Sequence, residues 1–295
     1  MSYEAWILLT GALVGVSCGI IGCFLILRRM AMLADAISHT VLLGIVGAYL
    51  VSQSMEGIYM LIGAAIVGVL TAFFVQTLHA SGVQSDAAIG VVFTSLFAVG
   101  VILLSAFAGR VHLDADHALM GEIAFIPWDV LEINGIGLGP KAVWMLGGVL
   151  FINILLISIF YKEIKLCSFD PEMAAAIGIP VMFIHYLLMG MLSITTVASF
   201  DSVGAILVVA MLIVPAATAY LLTDRLFIML LLSALVGVLS AGLGYFAAYI
   251  FNVSISGSMA SAAGLLFLIT FFLSPTHGLL AKWLARRKAR ANQAG

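Results

Sequence analysis

The chain has 295 residues, of which 64% are hydrophobic and 9% charged, with a mean hydropathy of +1.24, whereas soluble proteins are about half apolar. That excludes a soluble globular fold, and the formal net charge of −2 says little about partners, because in a membrane protein the placement of charge matters more than its sum. Alternating barrel patterning is absent, so the apolar runs must be helices that satisfy their own backbone polar groups in lipid.

Apolar runs fall at 6–27, 31–52, 58–79, 86–108, 141–161, 181–200, 203–222, 227–250 and 257–281, each near the ~20 residues that a spanning helix needs. Nine spans are expected, with eight as the alternative if the runs flanking Asp201 are not separate. The segment before the first run, Met1 to Ala5, lacks a basic n-region and a small-residue cleavage site, so the first helix is expected to be retained. Arg28, Arg29, Lys162, Lys165, Arg225 and the cluster Lys282 to Arg290 lie in alternate connections and the C-terminus, against Arg110 and Lys141 on the other side. By the positive-inside rule the N-terminus is outside and the C-terminus cytoplasmic. The whole chain, 1–295, reads as one transmembrane domain.

In the first run Gly11, Gly15 and Gly19 recur every four residues, a stripe that lets another backbone approach. Gly44 with Ala48, Ala64 with Gly68 and Gly237 with Ala241 point to a tightly packed bundle. The three cysteines have no metal-knuckle spacing and read as packing residues. Pro215, inside its run, removes one backbone donor and is expected to kink that helix.

The segment Arg28 to His39 carries the most unusual chemistry. A basic pair marks a membrane edge, and Asp35 and His39 follow inside the next apolar run, four residues apart and therefore on one helical face, about 6 Å apart along the axis. An ionised carboxylate in a span costs several kcal/mol unless it faces water or a partner. The residues alone leave three readings open: an Asp–His hydrogen bond that stabilises packing, a proton relay, or ligands for a translocating cation. Carboxylate plus imidazole suits Mn, Fe or Zn, and one chain supplies only two such donors; two copies across a twofold axis would supply four. Ser38 is expected to point elsewhere on the helix.

The longest connection, between the fourth and fifth runs, contains Asp114, Asp116, His112 and His117. These residues are able to coordinate a metal by type, but they suit a solvated acidic loop or a docking surface as well. On the basic side, Phe169, Asp170, Pro171, Glu172, Met173 and Ala174 up to Gly178 and Pro180 spell a short helix. Asp170 caps it, proline suits the first turn, and Gly178 ends it. It is too short to span, and its Ala and Met surface suits a groove on another protein. His79, Asp86, His185 and His277 read as interface residues near span ends, and Asp201 as part of a tight outer turn. No G-x-x-x-x-G-K-[ST] loop or HExxH occurs, so any ATP hydrolysis belongs to another chain and no catalytic residue is expected.

The stretches Gly22 to Arg29, Asp35-Ala-Ile-Ser-His39 through Gly44, Asp86 to Gly90, His117 to Gly121, Ser168 to Gly178 and Val203 to Ala219 resemble the permease subunits of bacterial manganese/zinc ABC importers, the ABC-3 metal permeases, over essentially the full chain. The resemblance implies an all-α polytopic protein of the bacterial plasma membrane that acts as a homodimer or similar pair. It implies ATP-binding cassette subunits inside and an extracellular or periplasmic metal-binding protein outside. It assigns Asp35 and His39 as pathway ligands for Mn²⁺ or Zn²⁺, with no permanently bound cofactor, and 169–178 as the coupling helix. Asp114, Asp116 and His117 are the weaker candidates for admitting metal. A proton-coupled secondary transporter, using Asp35 and Asp201 as relay groups, is the alternative.

Overall fold

A computed structural model describes residues 2–53, 57–107, 123–133 and 136–274. Among them, nine helices are long and apolar enough to cross a membrane. These are α1 (Tyr3–Leu27), α2 (Ala31–Ser52), α3 (Gly57–Ala80), α4 (Ser85–Phe107), α5 (Lys141–Ile159), α8 (Val181–Val203), α9 (Ala205–Leu222), α10 (Leu226–Phe251) and α11 (Ile255–Leu273). Two short helices, α6 (Tyr161–Phe169) and α7 (Pro171–Ala176), lie between α5 and α8. A 3₁₀ turn, Ile123–Trp128, and an antiparallel hairpin, β1 (Val130–Ile133) with β2 (Ile136–Pro140), precede α5.

Each of the nine runs read from the sequence overlaps one of the nine spans, although the last, read to 281, ends as a helix at Leu273, and all-α polytopic is the observed class. Asp201 is a correction: it lies in the last turn of α8, and the α8–α9 connection is the single residue Gly204, at φ +82°. One residue suffices because glycine adopts positive φ without steric cost.

Helix α1 occupies the middle of the bundle, against α10, α9, α5 and α8, while α2 packs on α3 and α4 and α8 touches both groups. The small-residue pattern explains these neighbours. A Cβ at Gly15 would lie 2.8 Å from the backbone of Gly237, and one at Gly19 would lie 2.7 Å from Ser233 Oγ, so α1 and α10 are in near-backbone contact. Gly44 meets Ala64 at 2.4 Å and Gly68 meets Ser193 Oγ at 1.9 Å in the same sense, which draws α2 and α8 onto α3. Lipid offers no hydrophobic drive between helices, so close packing and polar bridges supply the adhesion. The bridges include Thr71 Oγ1 to Thr40 Oγ1 at 3.1 Å, Asn153 Nδ2 to Thr195 Oγ1 at 2.7 Å, and Ser233 Oγ to the Gly19 carbonyl at 2.9 Å.

Helix α9 continues through Pro215, and Thr218 Oγ1 donates to the Val214 carbonyl at 2.8 Å. The two ends of the bundle sort as the alternating connections require. At one end the Tyr3 hydroxyl donates to the Ala124 carbonyl and the Trp6 ring packs on Gly139. At the other end Arg28 meets Ser168 and His185, and Ser274 Oγ donates to the Leu221 carbonyl at 2.5 Å.

Candidate metal site and the basic end of the bundle

Arg29 makes the turn that introduces the polar pair. It sits at φ +57°, its N–H donates to Ile26 O at 3.0 Å, and the Met30 N–H donates to Leu25 O at 2.9 Å. That is a helix-closing Schellman pattern, here built without glycine. Helix α2 then starts at once, which places Asp35 about 6 Å and His39 about 12 Å along its axis from Ala31.

Asp35 Oδ1 lies 3.6 Å from His39 Nε2, and their side chains are 39% and 37% exposed. At 3.6 Å the two are not hydrogen-bonded, so their lone pairs stay available. An ion about 2.1 Å from each donor, with a tetrahedral angle between them, would hold the donors about 3.4 Å apart. The resting separation is therefore close to a chelating bite. The imidazole ring is flanked by α4, with Phe93 at 5.7 Å and Phe97 at 5.9 Å between ring centroids. Gly100 permits this approach: a Cβ there would come within 3.0 Å of the Leu43 backbone, one turn beyond His39.

Ser38 is buried, and its hydroxyl donates to the Asp35 carbonyl at 2.7 Å, so it serves the backbone and leaves the carboxylate free. Among the described residues no group of three or more His, Cys, Asp and Glu side chains is placed to hold a metal. The Asp35–His39 pair is thus two donors on an accessible face, without a third such side chain beside them among the described residues. Asp114, Asp116 and His117, like His112 and His277, lie outside the described residues.

At the basic end, Asp170 Oδ1 accepts from the Met173 N–H at 2.9 Å, Pro171 is the first residue of α7, and Gly178, at φ +86°, closes it. Ala174 is fully buried and fixes the helix to the bundle, while Phe169, Met173 and Ile177 are each more than half exposed. Glu172 is exposed beside them. The result is an apolar patch with acidic neighbours, facing away from the bundle. Helix α6 was not anticipated from the sequence, where Lys162 and Lys165 mark a loop. Its signal is nonetheless present: Ile164, Cys167 and Ser168 turn inward at helical spacing while both lysines face out.

The Cys167 thiol, 3% exposed, has its pKa raised above the ordinary 9.0 by burial, with the Arg28 charge opposing and Glu163 reinforcing the shift. Arg28, at the end of α1, donates from Nε to Ser168 Oγ at 3.3 Å, and its Nη1 lies 3.4 Å from His185 Nδ1. Its pKa is lowered, mainly by burial.

The family model described as the ABC 3 transport family matches residues 2–274. The chain belongs to the ABC 3 transport family. It is 65% identical, over all of both chains, to the manganese transport system membrane protein MntD of Bacillus subtilis. It is 42% identical, over 95% of this chain and 77% of the relative, to the zinc transport system membrane protein TroD of Treponema pallidum. The solved structure of PsaBC from Streptococcus pneumoniae in complex with Fab matches with a TM-score of 0.78 at 37% identity, covering 94% of each chain. With nine apolar helices among its described residues and these relatives, this ABC 3 member is a multi-pass protein of the bacterial plasma membrane.

Proposed function

We propose that this ABC 3 chain is the permease of an ATP-driven importer of manganese or zinc, in which Asp35 and His39 are pathway ligands completed by the same pair from a second copy or a closely similar chain. The observation that carries the reading is the pair itself: an accessible carboxylate and imidazole 3.6 Å apart, with no third donor among the described residues. Full-length identity of 65% to a manganese transport membrane protein favours manganese as the cargo. The residues fit that ion as well as zinc, since oxygen and nitrogen donors suit both.

In this reading an extracellular metal-binding protein docks at the end carrying Tyr3 and the hairpin and releases the ion into the shared pathway. The opposite end is cytoplasmic. There the patch of Phe169, Met173 and Ile177, held by Asp170, Pro171, Ala174 and Gly178 and flanked by Glu172, seats in a groove of the ATPase subunit. ATP hydrolysis takes place on that separate chain. The outer acidic residues Asp114, Asp116 and His117 are the weaker part of the proposal, as an admission point.

The test is uptake of radioactive Mn²⁺ and Zn²⁺ by the chain reconstituted with its ATPase and binding protein, comparing Asp35→Ala and His39→Ala with wild type. Both variants are expected to lose most of the uptake while keeping assembly. Unimpaired uptake in both would overturn the ligand assignment. Uptake by the permease alone under a pH gradient, without ATP, would replace the ATP-driven reading with proton coupling.

A further inference from the structure

A cavity of about 890 Å³ opens at the basic end, lined by Arg28, Arg29, Gln76, His79, Ser168 and His185 among other residues. Among its described lining residues are two arginines and two histidines but no aspartate or glutamate. The neighbouring cavity of about 480 Å³ differs in this respect, because Asp224 shares it with Arg29. Arg28 does not complete its hydrogen bonding within the protein. Nε and Nη1 reach Ser168 and His185, whereas Nη2 is buried without any partner. Glu163 does not fill that role, since its own Oε2 is likewise buried and unpartnered. A guanidinium presents its donors as a fork suited to two oxygens of one anion, and leaving one buried donor unmade is costly.

The surroundings select the kind of anion. Phe73 and Phe74, one turn from Gln76 on α3, and Met182 of α8 are large apolar side chains, each at least 40% exposed, at the same level of the bundle. The Phe73 ring lies 6.5 Å from that of Tyr186, so α3 and α8 share this rim. A cationic recess beneath an apolar rim fits a molecule with a phosphate head and hydrocarbon tails.

We propose that the recess between the inner ends of α1, α3 and α8 binds the phosphate group of an anionic phospholipid, with the Arg28 and Arg29 guanidinium groups as its cationic contacts and His79 as a further hydrogen-bonding contact. The lipid comes from the cytoplasmic leaflet, a placement that rests on the orientation proposed above. Basic recesses between helices on that side are suited to anionic head groups. The lipid phosphate would lie against Ser168, the residue before the segment Phe169 to Gly178, and so tie the α1–α2 elbow to that segment.

The test is native mass spectrometry of the purified chain in neutral detergent, titrated with phosphatidylglycerol, phosphatidylcholine or inorganic phosphate. Phosphatidylglycerol is expected to bind at least about tenfold tighter than phosphatidylcholine, and Arg28→Gln to remove most of that preference. Arg28 also holds Ser168 and His185, so His79→Ala, at an exposed position, is the second variant. It is expected to weaken phosphatidylglycerol binding severalfold with a melting midpoint close to wild type, since the bond it removes, from His79 Nδ1 to the Val83 carbonyl at 3.1 Å, is exposed. Equal binding of the two lipids, or full preference retained in both variants, overturns the proposal. Saturation by inorganic phosphate with no phosphatidylglycerol bound also overturns it, in favour of a free anion. Neither transport nor the ATPase enters the measurement, so its failure leaves the importer reading untouched.

Discussion

Gly22→Ala is a demanding test of the packing that positions the elbow before Asp35 and His39. A Cβ at Gly22 would lie 1.8 Å from the Leu212 carbonyl oxygen, 2.9 Å from its carbon and 3.2 Å from Ala216 Cβ. Ordinary contact begins at 3.4 Å, so α1 and α9 must part by roughly 1.6 Å at that point, and the obstacle is backbone with no rotamer to change. Overpacking usually costs about 1–3 kcal/mol, and a backbone obstacle places this case at or above the top of that range. Gly47→Ala is the matched control: nothing lies within 4 Å of its Cβ, so the substitution is expected to gain roughly 0.5–1 kcal/mol from helix propensity. The assay is thermal unfolding of both purified variants in one detergent, followed by tryptophan fluorescence. Gly22→Ala is expected to melt well below wild type and Gly47→Ala at or slightly above it. Coincident midpoints would refute the close α1–α9 approach and with it the placement of Arg28.

Three further outcomes follow from the site and the basic end. Phe93→Ala with Phe97→Ala frees the His39 ring from α4 and is expected to raise the Mn²⁺ concentration for half-maximal uptake severalfold, with assembly intact, in the reconstituted assay. Asp170→Ala removes the cap of α7, a loss of about 0.5–2 kcal/mol concentrated on a six-residue helix, whereas Asp170→Asn keeps an acceptor. The alanine variant is expected to co-purify poorly with the ATPase subunit, and the asparagine variant normally. Cys167 favours its neutral thiol when folded, so its contribution to stability is intact below pH 9, the ordinary value, and declines as pH rises through the elevated folded value. Maleimide labelling of the folded protein at Cys167 should accordingly be slower at pH 8 than that of the unfolded chain. Equal rates would contradict its burial.

The spans were legible because lipid imposes one requirement on every residue within them, and the run lengths alone mark the nine long helices found among the described residues. The glycine stripe was legible for a related reason, since Gly11, Gly15 and Gly19 at four-residue spacing have no purpose except close approach. Gly22 escaped that pattern: it is three residues beyond Gly19, and its partner is a carbonyl of α9, a distant part of the chain. Asp35 and His39 could be paired from spacing, but the phenylalanine flanks could not, because Phe93 and Phe97 meet His39 only through the α2–α4 contact at Gly100. Helix α6 was hidden by its lysines, whose charge reads as loop while their spacing leaves an inward face for Ile164 and Cys167. The role of Arg28 was also invisible locally, since Ser168 and His185 are far away in sequence.

If Asp35 and His39 are ligands shared between two copies, as proposed, the incompleteness of the pair has a consequence for how the site works. A four-donor site built within one chain would hold its ion equally in every conformation, and equal affinity for two states shifts neither. When each copy brings two donors, relative movement of the copies changes the number of donors within reach, so affinity varies with the same motion that opens the pathway. Moving from nearly full outward to nearly full inward occupancy takes a differential of about 5.5 kcal/mol, which loss of two charged or imidazole donors is able to supply. The positions of the donors favour this scheme. Asp35 and His39 lie in the first half of α2, shortly after the elbow of Arg28 and Arg29, and Arg28 is hydrogen-bonded to Ser168 beside the segment proposed to meet the ATPase. A displacement of that segment would therefore reach the proposed ligand pair through the Arg28 side chain and the first two turns of α2, without passing through the tightly packed glycine contacts of α1 and α10.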